Sequence, residues 1–144
     1  SIGGAWLITG GLGGLGLRGA SLLTERGASR LVLTSRSGLV ARDGQGLASQ
    51  LQASVACDSG DAKDTGALFS LRPPTGVLHA AGVLRDTMLR SLAGRDLDAV
   101  HAPKALAASH VHTATTRTAR GLTRAPTFDA APPPRKLLDH VLFD

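Results

Sequence analysis

Eight residues constrain this chain more than any others: Thr9-Gly10-Gly11-Leu12-Gly13-Gly14-Leu15-Gly16. The apolar run Ala5-Trp6-Leu7-Ile8 leads in, and Leu17 leads out into a helix-compatible segment ending near Arg26. A short buried strand, a glycine turn and a helix start are what a dinucleotide site requires. In that reading Gly11 permits the tight turn, Gly13 lets backbone N–H groups approach a pyrophosphate, and Gly16 lets the helix pack on the strand. The helix N-terminus presents unpaired N–H donors and a partial positive charge to the phosphates. Taken alone, the spacing also suits a plain strand–helix turn, because glycine-rich turns are common.

The rest of the chain alternates strand and helix signals. Ala5 to Thr9 reads as the first strand and Gly14 to Arg26 as the first helix, with Leu15, Leu22 and Leu23 toward the sheet and Gly27 as its C-cap. Leu31-Val32-Leu33-Thr34 lies at the right distance to be a parallel second strand, and it ends in the polar turn Ser35-Arg36-Ser37-Gly38. In a dinucleotide fold that end faces the adenosine ribose, where an acid selects NAD and a base accommodates the 2′-phosphate of NADP. Arg36 is the first charged residue there, with no acid beside it. Its guanidinium can grip a phosphate with two N–H donors, although a solvated loop arginine is the alternative.

Gly46 to Gln52 is helix-compatible, and Ser54-Val55-Ala56-Cys57 is a short third strand ending at Asp58. Asp58 suits a hydrogen bond to an adenine amino group, a plain loop position or the N-cap of the next helix. That helix, Asp61 to Leu71, is stopped by Pro73-Pro74. Gly76-Val77-Leu78-His79 is the fourth strand, followed by Ala80-Ala81-Gly82, whose small side chains let backbone lie close to a bound cofactor. Met88 to Leu92 and Arg95 to Ala108 read as helical, with Pro103 at a bend. The expected fold is α/β: a doubly wound parallel sheet of Rossmann-like, NADP-binding type in the order 3-2-1-4, incomplete on its C-terminal side. A possible fifth strand, His140 to Phe143, would lie beside the fourth.

Composition narrows the function. No apolar run approaches the roughly 20 residues of a membrane span, and no basic, apolar leader resembles a signal peptide. Cys57 is the only cysteine, so an internal disulfide is impossible and a cytoplasmic setting is expected. Cys57 itself reads as a buried strand residue rather than a nucleophile. The formal charge of +5 and pI near 10.7 raise the question of nucleic acid. Most of that charge sits between Ala105 and Lys136, where Arg117, Arg120, Arg124, Arg135 and Lys136 face only Asp129. Elsewhere the balance is near even, and aromatics at 3% offer no stacking platform, so neither nucleic acid nor membrane is an expected partner. No metal site is expected.

Four motifs occur in order: Leu7 to Gly16, Leu31 to Gly38, His79-Ala80-Ala81-Gly82-Val83-Leu84, and Ala102-Pro103-Lys104. Together they resemble the ketoreductase domain of polyketide synthases and animal-type fatty acid synthases, within the short-chain dehydrogenase/reductase superfamily. The resemblance covers roughly residues 4 to 110 and resumes faintly at Leu137 to Phe143. It implies hydride transfer from NADPH to the 3-keto group of an acyl chain on acyl carrier protein, inside a multidomain synthase. By resemblance, Gly11 to Gly16, with Gly13, Gly14 and Leu15 among them, hold the pyrophosphate, Arg36 takes the 2′-phosphate and Asp58 the adenine, and Thr9 and Ser35 count among the cofactor-binding residues. His79, Ala80, Ala81 and Gly82 would line the nicotinamide ribose. Lys104 falls where the family has its catalytic lysine, which binds ribose and lowers the pKa of a catalytic tyrosine. Asp86 falls where a subset of the family has Leu-Asp-Asp, a subset associated with one facial preference of reduction. Arg85 departs from that pattern, so the stereochemistry stays open.

The departures are large. The composition contains no tyrosine, so the family's catalytic tyrosine is absent from these 144 residues. Leu138 to Phe143 resembles the run into the fifth strand, and Asp144 stands about where the family's serine pair begins. Residues 1–112 therefore read as the nucleotide-binding part, 113–136 as an irregular Thr/Arg/Ala/Pro-rich segment without apolar periodicity, and 137–144 as the start of a fifth strand. Pro132-Pro133-Pro134 excludes helix and central strand there. Two functions follow: a fragment of a 3-ketoacyl reductase, or a non-catalytic NADP-binding or interaction module derived from one.

Overall fold

The computed structural model describes residues 2–40, 54–71 and 73–121. Four strands, β1 (Ala5–Thr9), β2 (Arg30–Ser35), β3 (Ser54–Ala56) and β4 (Gly76–His79), form one sheet in the order β3-β2-β1-β4. Every neighbouring pair is parallel, with Ile8 opposite both Leu33 and Leu78, and Thr9 opposite both Thr34 and His79. The helices are α1 (Gly14–Glu25), α2 (Ala62–Leu71), α3 (Gly94–His101) and α4 (Ala107–Ala119). Among the described residues no helix is long and apolar enough to cross a membrane.

The strands are apolar on both faces because both faces are covered. Alternation sends Leu7, Val32 and Val55 to one side, where they meet Leu68 and Phe69 of α2 and Val111 and Ala114 of α4. Ile8, Leu31 and Leu33 go to the other side, against Leu12 and against Leu17 and Ala20 of α1. Each such buried Leu or Ile contributes about 1.5–3 kcal/mol.

The sheet order and all four strands match the sequence reading to within one or two residues. The face of α1 does not. Leu15 and Leu22 are exposed, and the buried stripe is Gly16, Leu17 and Ala20, with Leu23 packed at its margin. Glycine sets this rotation. A Cβ at Gly16 would lie 2.4 Å from the Gly11 Cα, so α1 seats its glycine against the loop and turns Leu15 outward. The helix ends as expected at Gly27: its N–H donates to the Thr24 carbonyl and that of Ala28 to the Leu23 carbonyl, the paired bonds of a Schellman cap.

Two more boundaries move. Only Leu89–Ser91 of the expected 88–92 helix is helical, as one 3-10 turn. In the segment expected to be irregular from 113 onward, α4 instead runs to Ala119. Its buried positions Ala107, Val111 and Ala114 are spaced four and three apart, so apolar periodicity does continue into it. The threonines that suggested irregularity are satisfied on the helix: Thr115, Thr116 and Thr118 each donate a hydroxyl to the carbonyl four residues back. At Pro103 the expected bend is a π turn, Ala102–Leu106, joining α3 to α4. The expected helix at 46–52, the rest of the 113–136 segment and the strand at 140–143 lie outside the described residues.

Candidate functional site

A cleft of about 840 Å³ opens at the carboxyl ends of the strands. Parallel sheets place ligand crevices there, where strand order reverses about β1. Five segments converge on it: the loop from β1 into α1, the turn after β2, the run after β3, the run after β4, and the π turn at Pro103. It is large enough for an extended small ligand.

The glycine loop is built as a close-packed turn. The residue with left-handed backbone is Gly10 (φ +67°), not Gly11 as the motif suggested. Gly11 is needed for space instead, since a Cβ there would lie 2.7 Å from the Ile8 carbonyl oxygen and 2.8 Å from Leu33. Gly11 is buried and its N–H donates to the Thr34 carbonyl, so it shapes the loop from beneath and does not line the cleft. Gly13, Gly14, Leu15 and Gly16 do line it. Gly13 is the N-cap of α1, gives no side-chain cap, and the first turn holds no acid. The N–H groups of Gly14, Leu15 and Gly16 therefore open the helix toward the cleft with nothing but its dipole behind them.

After β2 the chain folds into a small self-bonded turn. The Ser35 hydroxyl accepts from the Gly38 N–H at 3.0 Å, and the Ser37 hydroxyl accepts from the Leu39 N–H at 3.2 Å. Both serines line the cleft, with Arg36 exposed at its lip and no acid in the turn. Leu39 and Val40 add an apolar wall that the sequence reading missed; the signal was two apolar residues directly after a polar turn.

Asp58 also reaches the cleft, and one of its three readings falls away. It is not the N-cap of α2. That cap is Asp61, whose Oδ1 accepts from the N–H groups of Lys63 (2.7 Å) and Asp64 (3.1 Å). These bonds hold the Asp61 carboxyl below the usual carboxylate range. Asp58 folds its own turn, Oδ1 accepting from the Gly60 N–H at 2.9 Å. Cys57 beside it is buried in the cleft wall. Burial pushes its thiol up to about 12, with Asp64, Asp58 and Asp61 adding to the shift, so it is no nucleophile.

On the β4 side Ala80, Ala81 and Gly82 line the cleft as expected, joined by Val83 and by Pro103 from the π turn. Besides Gly11, two further expected lining residues are elsewhere. Thr9 is buried within the sheet, and its hydroxyl bonds to His79 Nδ1 at 2.5 Å. His79 is thereby turned away from the lining, with its Nε2 3.2 Å from the Lys104 carbonyl oxygen. Lys104 is exposed and is not among the lining residues, although its Cε lies 3.4 Å from where a Cβ of the lining residue Gly82 would sit. Among the described residues no cluster of His, Cys, Asp and Glu could hold a metal ion.

Residues 4–122 match the family model for the KR domain. The chain is 35% identical over 133 residues to 5-methyl-1-naphthoate synthase of Streptomyces sahachiroi, covering 76% of this chain and 7% of that protein. It is 41% identical over 120 residues to polyketide synthase GfsB of Streptomyces halstedii, covering 76% of this chain and 2% of that one. Among solved structures it is similar to A-type ketoreductases from a modular polyketide synthase, with a TM-score of 0.71 and 36% identity over 81% of this chain and 27% of that one. The first ketoreductase of the tylosin synthase gives a TM-score of 0.70 and 37% identity, over 78% of this chain and 26% of that one. The chain thus spans a small part of each relative's length.

Proposed function

The chain belongs to the KR-domain family, with the ketoreductases of polyketide synthases as its relatives, and on that premise we propose that it is the nucleotide-binding half of an NADPH-dependent 3-ketoacyl reductase. It would work as part of a longer synthase, on an acyl chain carried by acyl carrier protein. The supporting observation is the cleft that gathers an uncapped helix start, a lone arginine after β2 and the small-residue run after β4 around one space.

The donor chemistry fits a dinucleotide phosphate. Bare N–H groups at Gly14, Leu15 and Gly16 suit the two charges of a pyrophosphate. Arg36 would hold the 2′-phosphate bidentately, with Ser35 and Ser37 shaping the turn beneath it. The second carboxylate oxygen of Asp58 would accept from the adenine amino group. The backbone of Ala80 to Gly82 would lie against the nicotinamide end, where Lys104 reaches over Gly82 to bind ribose hydroxyls. When bound, NADPH supplies the hydride.

One observation favours a second reading, a module that binds NADP without reducing anything: the 144 residues contain no tyrosine. General acid catalysis of that kind typically supplies about 10²–10⁴-fold. The isolated chain should therefore give a flat trace when NADPH absorbance is followed with a 3-ketoacyl thioester. Fusion to the missing half of a related ketoreductase separates the two readings. Turnover that depends on both Lys104 and Arg36 supports the reductase fragment, and a well-folded fusion without turnover supports the binding module.

A further inference from the structure

His79 ends β4 immediately before the cleft-lining run, yet its ring serves two bonds that lead elsewhere. Nδ1 meets the Thr9 hydroxyl and Nε2 meets the Lys104 carbonyl oxygen. A carbonyl only accepts, so Nε2 carries the hydrogen and Nδ1 accepts from the Thr9 hydroxyl. Thr9 is 2% exposed and sits on the strand between β2 and β4. The ring is thus held from the sheet's interior and passes that position to a turn 25 residues further along.

That turn takes a side-chain bond from β4. Pro103 has no N–H to give, and at the end of the π turn backbone N–H groups already reach the Ala102 and Lys104 carbonyls, so His79 adds a second bond to the Lys104 oxygen. The Lys104 carbonyl is fixed from the side by His79, while its side chain passes over Gly82. Both ends of the residue are therefore gauged against β4 and the loop that follows it.

We infer that His79 is a positioning residue: its Nε2–H fixes the π turn and thereby sets Lys104 over the nicotinamide end of the cleft. The functional half of this inference rests on the ribose role proposed for Lys104; the structural half does not. Two variants split the ring's bonds. Asparagine keeps an acceptor near Nδ1 for Thr9 but is too short to reach Lys104, whereas glutamine keeps a donor near Nε2.

The test uses the full chain with two readouts. The first is amide hydrogen exchange across residues 104–108, with α1 as internal control. The second is affinity for NADPH beside adenosine 2′,5′-bisphosphate, which lacks the nicotinamide end. For His79→Asn we expect exchange at 104–108 to rise and NADPH to weaken, each about two- to tenfold, as for loss of one hydrogen bond. Adenosine 2′,5′-bisphosphate binding and α1 exchange should not change, and His79→Gln should restore both readouts. Unchanged exchange at 104–108 in His79→Asn overturns the inference. So does equal weakening of both ligands with a lower unfolding midpoint and no rescue by glutamine, the signature of a merely structural histidine. If the exchange pattern holds while the wild-type chain binds neither ligand, the positioning stands and the NADPH reading fails.

Discussion

Under the proposed function, cofactor preference rests on one guanidinium, on the turn after β2. Arg36 is exposed at the lip of the cleft, between two serines whose hydroxyls are already used to hold the turn. A charge-assisted contact to phosphate is worth about 1.5–3 kcal/mol. Arg36→Ala should accordingly weaken NADPH by about ten- to a hundredfold and leave NADH nearly unchanged, measured by titrating both; equal weakening would remove the argument. Cys57 and Asp61 each contribute to the pH response. The Cys57 thiol titrates near 12 in the fold, so an unfolded chain ionises first and stability falls as pH rises from the ordinary thiol range toward that value. Its alkylation at pH 8 should be no faster than unfolding. Asp61 runs the opposite way: its carboxyl is held low by two N–H donors, so its contribution is present above the ordinary carboxylate range and is lost as pH falls through the folded value. Asp61→Ala should lower the unfolding midpoint at pH 7 and flatten its fall toward acid.

Two glycines in two helices make opposite predictions at the level of elements. Gly16 on α1 has no room, since a Cβ would come within 2.4 Å of Gly11 backbone. Gly66 on α2 has nothing within 4 Å of that position. Gly16→Ala should destabilise by about 1–3 kcal/mol or more, because backbone cannot step aside as a side chain can. Gly66→Ala should stabilise by about 0.5–1 kcal/mol through helix propensity and a less flexible unfolded chain. Chemical denaturation of both variants checks the pair, and similar effects at the two sites would contradict the packing described for α1. The same contrast explains what the sequence made legible. Strands were readable because Leu31 to Thr34 and Gly76 to His79 are short apolar runs between turn residues. The glycine loop was readable as a motif, but which glycine turns and which makes room depends on Leu33 and Ile8, contributed by neighbouring strands. The face of α1 is not legible from its leucines, because the glycine must go innermost. The end of α4 is not legible because threonines that bond to their own helix look, in sequence, like loop.

At the scale of the molecule, the cleft was legible wherever one local segment supplies it, at Gly13 to Gly16, Ser35 and Arg36, Asp58, and Ala80 to Gly82. It was not legible at Thr9 and His79, whose side chains are taken up by a contact 70 residues apart in sequence. Among the described residues apolar side chains are not evenly covered. Leu84, Met88 and Leu89 are 79%, 64% and 87% exposed, a run of apolar surface that invites association.

The central claim is that this cleft binds NADPH and selects it by its 2′-phosphate. Calorimetric titration of the wild-type chain with NADPH and with NADH tests this most directly. The expected result is saturable binding of NADPH, with NADH weaker by about tenfold or more, the equivalent of one charge-assisted phosphate contact. Equal affinities, or no binding of either cofactor by folded chain, would contradict it.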